Sequence, residues 1–246
     1  TTVTANFTQN EYTLDVVSAH GTVTKTPAQA TYHYGDIVTL SVAADNGWTF
    51  TSWAPALVSN QVTISGDTTV TANFTQNEYT LDVVSAHGTV TKTPAQATYH
   101  YGDIVTLSMA ADNGWTFTGW TPALVSNQVT ITGDTTVTAN FTQNEYTLDV
   151  VSAHGTVTKT PAQATYHYGD IVTLSVTADS GWTFTSWAPA LVSNEVTITG
   201  DTTVTANFTQ NEYTLDVISA HGIVTKTPAQ ATYHYGDIVT LSVAAD

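Results

Sequence analysis

His20, His33 and Asp36 are the residues through which this chain would do metal or acid-base chemistry, since imidazole and carboxylate together suit zinc or copper. Their spacing offers no tight ligand pair of a diagnostic kind, so they read as turn and surface residues rather than a metal centre. No Ser/His/Asp set and no paired carboxylates stand out, and neither catalytic nor cofactor-binding residues are assigned: the chain does not read as an enzyme. Asp45-Asn46 and Gly66-Asp67 are oxygen-rich loops without the ligand density of a calcium site, and weak calcium binding is the one cofactor they leave open. Asn6, Asn73, Asn140 and Asn207 each begin an Asn-x-Thr acceptor for N-glycosylation. With Phe74 turned inward, strand alternation sends Asn73 outward, where a sugar has room. Tyr32, Tyr34 and Trp48 are the aromatics least committed to a core, and exposed rings of this kind stack on glycans. Trp48 is otherwise expected to face the side of its sheet opposite Trp53, covering it against Tyr34.

Each of these residues returns 67 positions later, and the period governs everything else. Thr1-Thr2-Val3-Thr4-Ala5-Asn6-Phe7 recurs from Thr68, Thr135 and Thr202, and the first two periods differ at only four positions. Those are Val42/Met109, Ser52/Gly119, Ala54/Thr121 and Ser65/Thr132; the third period departs from the first at Thr177, Ser180, Glu195 and Thr199. Copies this alike cannot hold different specialised sites, so function must come from repetition. All six tryptophans lie in three blocks, GWTFTSW from Gly47, GWTFTGW from Gly114 and GWTFTSW from Gly181. Large aromatics used only there are the anchors of one small core per repeat. The anchors are Trp53, Trp120 and Trp187 with Phe50, Phe117 and Phe184.

Within one copy, Tyr12, Leu14 and Val16 alternate with polar residues as a half-buried strand does. Gly21 then breaks the pattern with an unusual φ, making Glu11 to Thr26 a hairpin that Pro27 ends. Residues 27–35 are the least strand-like, with one helical turn at most. Val38, Leu40 and Val42 alternate in the best strand of the repeat, and Asp45-Asn46-Gly47 leads into the aromatic block as the second arm of a hairpin. Residues 54–60 form a loop folding Leu57 onto the core, followed by strands at Val62/Ile64 and at Val70, Ala72 and Phe74. With Val23, these residues are the expected core. Six short strands in 67 residues describe an all-β fold, a small β-sandwich or partly open barrel repeated in tandem.

The repeats are placed at 10–76, 77–143 and 144–210, with residues 1–9 the closing strand of a preceding repeat and 211–246 an incomplete one. Unpaired strands in those end pieces would be completed by further copies in the same chain or by other chains. Only Thr75 to Glu78 separate Phe74 from Tyr79, without glycine or proline, so neighbouring repeats should meet at a restricted angle. Four lysines against twenty acidic residues give a formal charge of −16, which removes the basic footprint that nucleic acid requires. No run approaches the length of a membrane span. Cysteine is absent, so no disulfide or thiol-ligated metal is available. A threonine-rich chain poor in charge suits an extracellular setting.

The ordered blocks YTL, GTVTKTP, TYHYGDIVTLS, NGWTFTSW and TTVTANF, across Tyr12–Phe74, Tyr79–Phe141 and Tyr146–Phe208, resemble the divergent internalin B-repeat family of long bacterial and archaeal surface proteins. The resemblance implies a compact β-rich spacer or adhesive module on secreted or wall-attached proteins, and offers a β-grasp-like fold as the alternative architecture. Two functions follow. One is a structural stalk or filament giving reach, stiffness and multivalent display. The other is a glycan- or surface-binding adhesin acting by avidity.

Overall fold

The computed structural model describes residues 1–245, which form two compact units: residues 1–110 with 118–140, and residues 111–117 with 141 onward. The first holds the whole first copy and the second the whole third copy, and both are built of strands alone. No helix forms among the described residues, so the β-grasp-like alternative lacks its helix, and residues 28–31 make no helical turn either.

In the first copy the strands are β1 (Glu11–Tyr12), β2 (Leu14–Ser18), β3 (Gly21–Thr26), β4 (Tyr32–His33), β5 (Ile37–Ala44), β6 (Trp48–Ala54), β7 (Gln61–Thr63) and β8 (Thr68–Gln76). They form two three-stranded sheets, β2-β8-β6 and β3-β5-β7, with a small β1-β4 ribbon. β8 is central in its sheet, antiparallel to β6 but parallel to β2, with Leu14 opposite Thr68 and Ser18 opposite Ala72. The two inner faces meet in a sandwich core of Leu14, Tyr32, Val38, Leu40, Trp53, Val62, Ile64, Val70 and Ala72. Tyr12, Val16, Val23, Val42, Phe50, Leu57 and Phe74 pack on its margins. The third copy repeats the arrangement, with Leu148–Ser152 parallel to Thr202–Gln210. In the first unit, Leu81–Ser85 likewise runs parallel to residues 135–139.

Period-2 patterning locates the strands but not their partners, and both expected hairpins are corrected. β2 and β3 lie in different sheets, as do β5 and β6. Ser18 to Gly21 and Asp45 to Gly47 are therefore corners that carry the chain across the sandwich, so that consecutive apolar faces oppose each other instead of lying side by side. Gly21 does not have a positive φ. It is required because a Cβ there would sit 2.6 Å from the Ala43 carbonyl oxygen and 3.0 Å from the Phe74 ring.

The aromatic block carries a further correction. Thr51 is an extra residue in β6: Phe50 opposes Phe74, while Ser52 opposes Asn73 and Trp53 opposes Ala72. This bulge inverts the alternation after Phe50. Trp48, Phe50 and Trp53 consequently share the inner face, where simple alternation puts the two tryptophans on opposite sides. Phe50 and Trp53 ring centroids lie 4.8 Å apart, and the Trp53 indole donates from Nε1 to Asn60 Oδ1 at 2.9 Å. Trp53 is buried, whereas Phe50 and Trp48 are half-buried, so the tryptophan is the stronger anchor of each pair.

The end pieces differ from the complete copies. Residues 1–10 contain no strand, and Val3 and Phe7 are 93% and 94% exposed. The expected closing strand does not form there because its counterpart β8 depends on a β2 and a β6 to either side. In residues 211–245 the hairpin of Ile223–Thr227 with Thr240–Ala244 forms, yet Leu241 is 48% exposed where its equivalent Leu40 is 1% exposed. Residues 215–219, equivalent to β2, form no strand.

Truncating the deep anchor, Trp53→Ala, should remove about 3–5 kcal/mol from the first copy. Trp48→Ala should remove clearly less. Amide exchange across residues 10–76 measures both, and equal losses would mean that the rim carries as much of the core as its centre.

Candidate functional site

Each copy places its chemistry-bearing residues at turns, and the turns are where the side chains meet other elements. Asp45-Asn46-Gly47 closes with the Trp48 N–H donating to the Asp45 carbonyl at 3.0 Å, and Asp45 N–H in turn donates to the His20 carbonyl at 3.0 Å. His20 lies flat on Trp48, with ring centroids 3.4 Å apart and planes within 4°, and meets the edge of Phe74 at 6.2 Å. His154 and Trp182 reproduce the stack in the third copy. His20 is thus a packing residue at a corner. Trp48 is covered by this imidazole, not by Tyr34.

Gly47 sits at φ +80°, a conformation that suits glycine. Against it rests Tyr101 of the following copy, so close that a Cβ on Gly47 would clash with that of Tyr101. Asn46 Nδ2 donates to Tyr101 Oη at 3.2 Å. The connecting segment is fastened at the same point: the Asn77 N–H donates to the Gly47 carbonyl at 2.8 Å, and Thr49 Oγ1 donates to Asn77 Oδ1 at 2.7 Å. Asn77 Nδ2 then reaches Tyr79 Oη at 3.3 Å, and Tyr79 and Tyr99 exchange backbone hydrogen bonds at 2.8 and 2.9 Å. Within the second unit, Gly114, Asn113, Thr116 and Asn144 make the same contacts with Tyr168 and Tyr146. The four residues between copies are therefore a bonded joint, and Tyr101 is the residue that seats it.

The remaining candidates are structural by geometry. Asp36 accepts the His33 N–H at 2.8 Å to close the turn before β5, with His33 Nδ1 3.9 Å from the same carboxylate oxygen. Tyr32 and Tyr34 part company there, because β4 ends at His33 and Gly35 turns at φ +88°. Tyr32 is fully buried, which corrects its expected place at the surface, and donates from Oη to the Pro27 carbonyl at 2.8 Å. Lys25 donates to the Leu14 carbonyl at 3.1 Å, with Nζ 5.8 Å from the Tyr32 ring centroid. Asn73 and Asn207 do point outward, and their amides donate to Ser52 Oγ and Ser186 Oγ. Asn140 is half-buried, and Asn6 lies in the strand-free segment. Among the described residues no cavity forms, and no three His, Asp or Glu side chains converge as a metal would require.

Asp67 clasps the ends of the parallel pair. Its Oδ1 accepts both the Thr13 N–H at 2.7 Å and the Thr13 hydroxyl at 3.0 Å, and the backbone bond first, then the hydroxyl, hold its carboxyl below the ordinary range. A carboxylate with a lowered folded-state value stabilises the fold above the ordinary carboxylate range, and that contribution is lost as pH falls through the lowered value. Asp67→Asn should lower stability at neutral pH and flatten this part of the acid limb, read by melts across an acid pH series; an unchanged acid limb would show the clasp to be energetically silent.

Among curated proteins, no match was found. The family model for the divergent InlB B-repeat domain matches three times in succession, over residues 12–78, 79–145 and 146–212. These spans cover most of the chain, so the chain belongs to the divergent InlB B-repeat domain family, as a tandem series of such repeats.

Proposed function

We propose that this chain is a spacing segment of an extracellular surface protein, a stalk or filament piece that supplies reach, stiffness and repeated display. The bonded connector carries the reading. A freely jointed chain of domains leaves its linkers solvated and rich in glycine or serine, whereas Asn77 is held by Gly47 and Thr49 on one side and Tyr79 on the other. Membership of a repeat family named for a surface protein supports the location, as does a threonine-rich composition without cysteine.

The adhesin alternative needs aromatic platforms, and apart from Tyr34, which is 71% exposed, those residues are engaged elsewhere in the complete copies. Tyr32 is core, Trp48 lies under His20, and Tyr101 and Tyr168 are seated in joints. That distribution favours spacing over glycan capture.

Solution scattering on chains of three, five and seven copies tests the proposal. The maximum dimension should grow almost in proportion to copy number. Growth nearer the square root of copy number would mean free joints and would remove stiffness from the function.

A further inference from the structure

The three joints share one seat and differ in one clasp. Gly47, Gly114 and Gly181 all have φ between +80° and +84°, and at each a Cβ would clash with the Cβ of the tyrosine that follows, Tyr101, Tyr168 or Tyr235. The residue before the glycine is Asn46 at the first joint and Asn113 at the second, and each amide donates to the tyrosine hydroxyl at 3.2 Å. At the third joint Ser180 takes that place, and its shorter side chain makes no bond to Tyr235. Tyr34, with no turn against it, is 71% exposed; Tyr101 and Tyr168 are 39% and 40% exposed, and Tyr235 is 65% exposed.

We propose that the Asn-Gly turn is a docking surface for the second tyrosine of the TYHYGD block in the next copy, and that the residue before the glycine sets how firmly the copies are joined. Asparagine closes the joint by clasping the phenol. Serine leaves the ring seated by packing alone, and the connector opens more often. The proposal rests on the spacer reading and refines it: a chain assembled from near-identical copies carries stiff and yielding joints according to a single side chain, with the hinge placed by sequence instead of by a longer linker.

Residues 211–246 also lack the counterparts of β6 to β8, so the greater exposure of Tyr235 does not isolate the clasp. The decisive substitution is therefore Asn113→Ser, at a joint followed by a complete copy. Hydrogen exchange on the full chain reads it through the Asn144 N–H, which donates to the Gly114 carbonyl at 2.8 Å. Exchange at Asn144 should quicken about two- to tenfold, the range expected for loss of one net hydrogen bond. The Leu174 N–H, in the core of the third copy, should not change. Tyr168→Phe keeps the ring and removes only the acceptor, so it should reproduce the effect; Ser180→Asn should slow exchange at Asn211 by a comparable factor. Unchanged exchange at Asn144 in Asn113→Ser with the core intact, or an effect of Asn113→Ser that Tyr168→Phe does not share, would overturn the clasp. Scattering that showed free joints with the exchange pattern as expected would fault the spacer reading and leave the clasp standing.

Discussion

The parallel pairing of β2 with β8 is the contact on which each repeat depends. It joins strands more than fifty residues apart, Leu14 to Thr68 through Ser18 to Ala72, and so closes nearly the whole copy into one loop. Such closure costs chain entropy before any local contact repays it. The repayment is concentrated at the point of closure: Val70 and Ala72 are buried between the sheets, the Thr68 N–H donates to the Thr13 carbonyl at 3.0 Å, and Asp67 grips Thr13 twice. Because β8 is the middle strand, a copy without it loses the partner of β2 and the support of β6 together. The unpaired state of residues 215–219 follows from that dependence. The same strand delivers the chain to Gln76, opposite Trp48, and so places the connector beside the Gly47 turn.

The bulge at Thr51 converts this strand frame into an aromatic core. Without the extra residue β6 would turn Trp48 and Trp53 to opposite faces, and one would be lost to solvent. With it, a continuous run of rings extends from Trp53 through Phe50 and Phe74 to His20 and Trp48, with neighbouring centroids 3.4–6.2 Å apart. The inner end of this run is dry and hydrogen-bonded through Trp53 to Asn60. The outer end is the His20 stack, which also holds the corner that supports the Asp45-Asn46-Gly47 turn. Core packing and joint geometry are thus two ends of one structure.

Legibility in the sequence followed the range of the interaction. Alternation depends only on neighbours along the chain, and it locates the strands of the complete copies and most of their core, whereas the buried Tyr32 and the inversion at the Thr51 bulge lie outside it. Strand partnership depends on which faces must be buried against each other, and the Gly21 and Gly47 corners carry the local signature of hairpins while joining different sheets. A glycine that fits a turn and a glycine that admits a neighbouring ring look the same in sequence; Gly21 serves close approach, and Gly47 serves both needs. The pattern Tyr-x-Tyr implies one shared face as long as the strand continues, and Gly35 ends it between core and joint. The short connector is legible in the sequence, but Tyr101, which rests against Gly47, is not, because its role is invisible until the following copy is folded against it.

The few differences between copies show which contacts the fold preserves. Ser52 and Ser186 accept the amide of the outward asparagine at 3.1 and 3.2 Å. The second copy has Gly119 at this position, at φ +150° beside the bulge, and cannot supply that hydroxyl. Its second change, Ala54 to Thr121, restores an acceptor: Asn140 Nδ2 donates to Thr121 Oγ1 at 2.8 Å. Two substitutions two residues apart therefore compensate, and the asparagine is kept bonded in all three complete copies. The change from Asn46 to Ser180 has no such partner, since among the described residues none takes over the phenol of Tyr235. At the outward asparagine the copies vary as a pair. At the joint the variation stands alone, which is the pattern expected of a position where the strength of a contact can differ from copy to copy without loss of the fold.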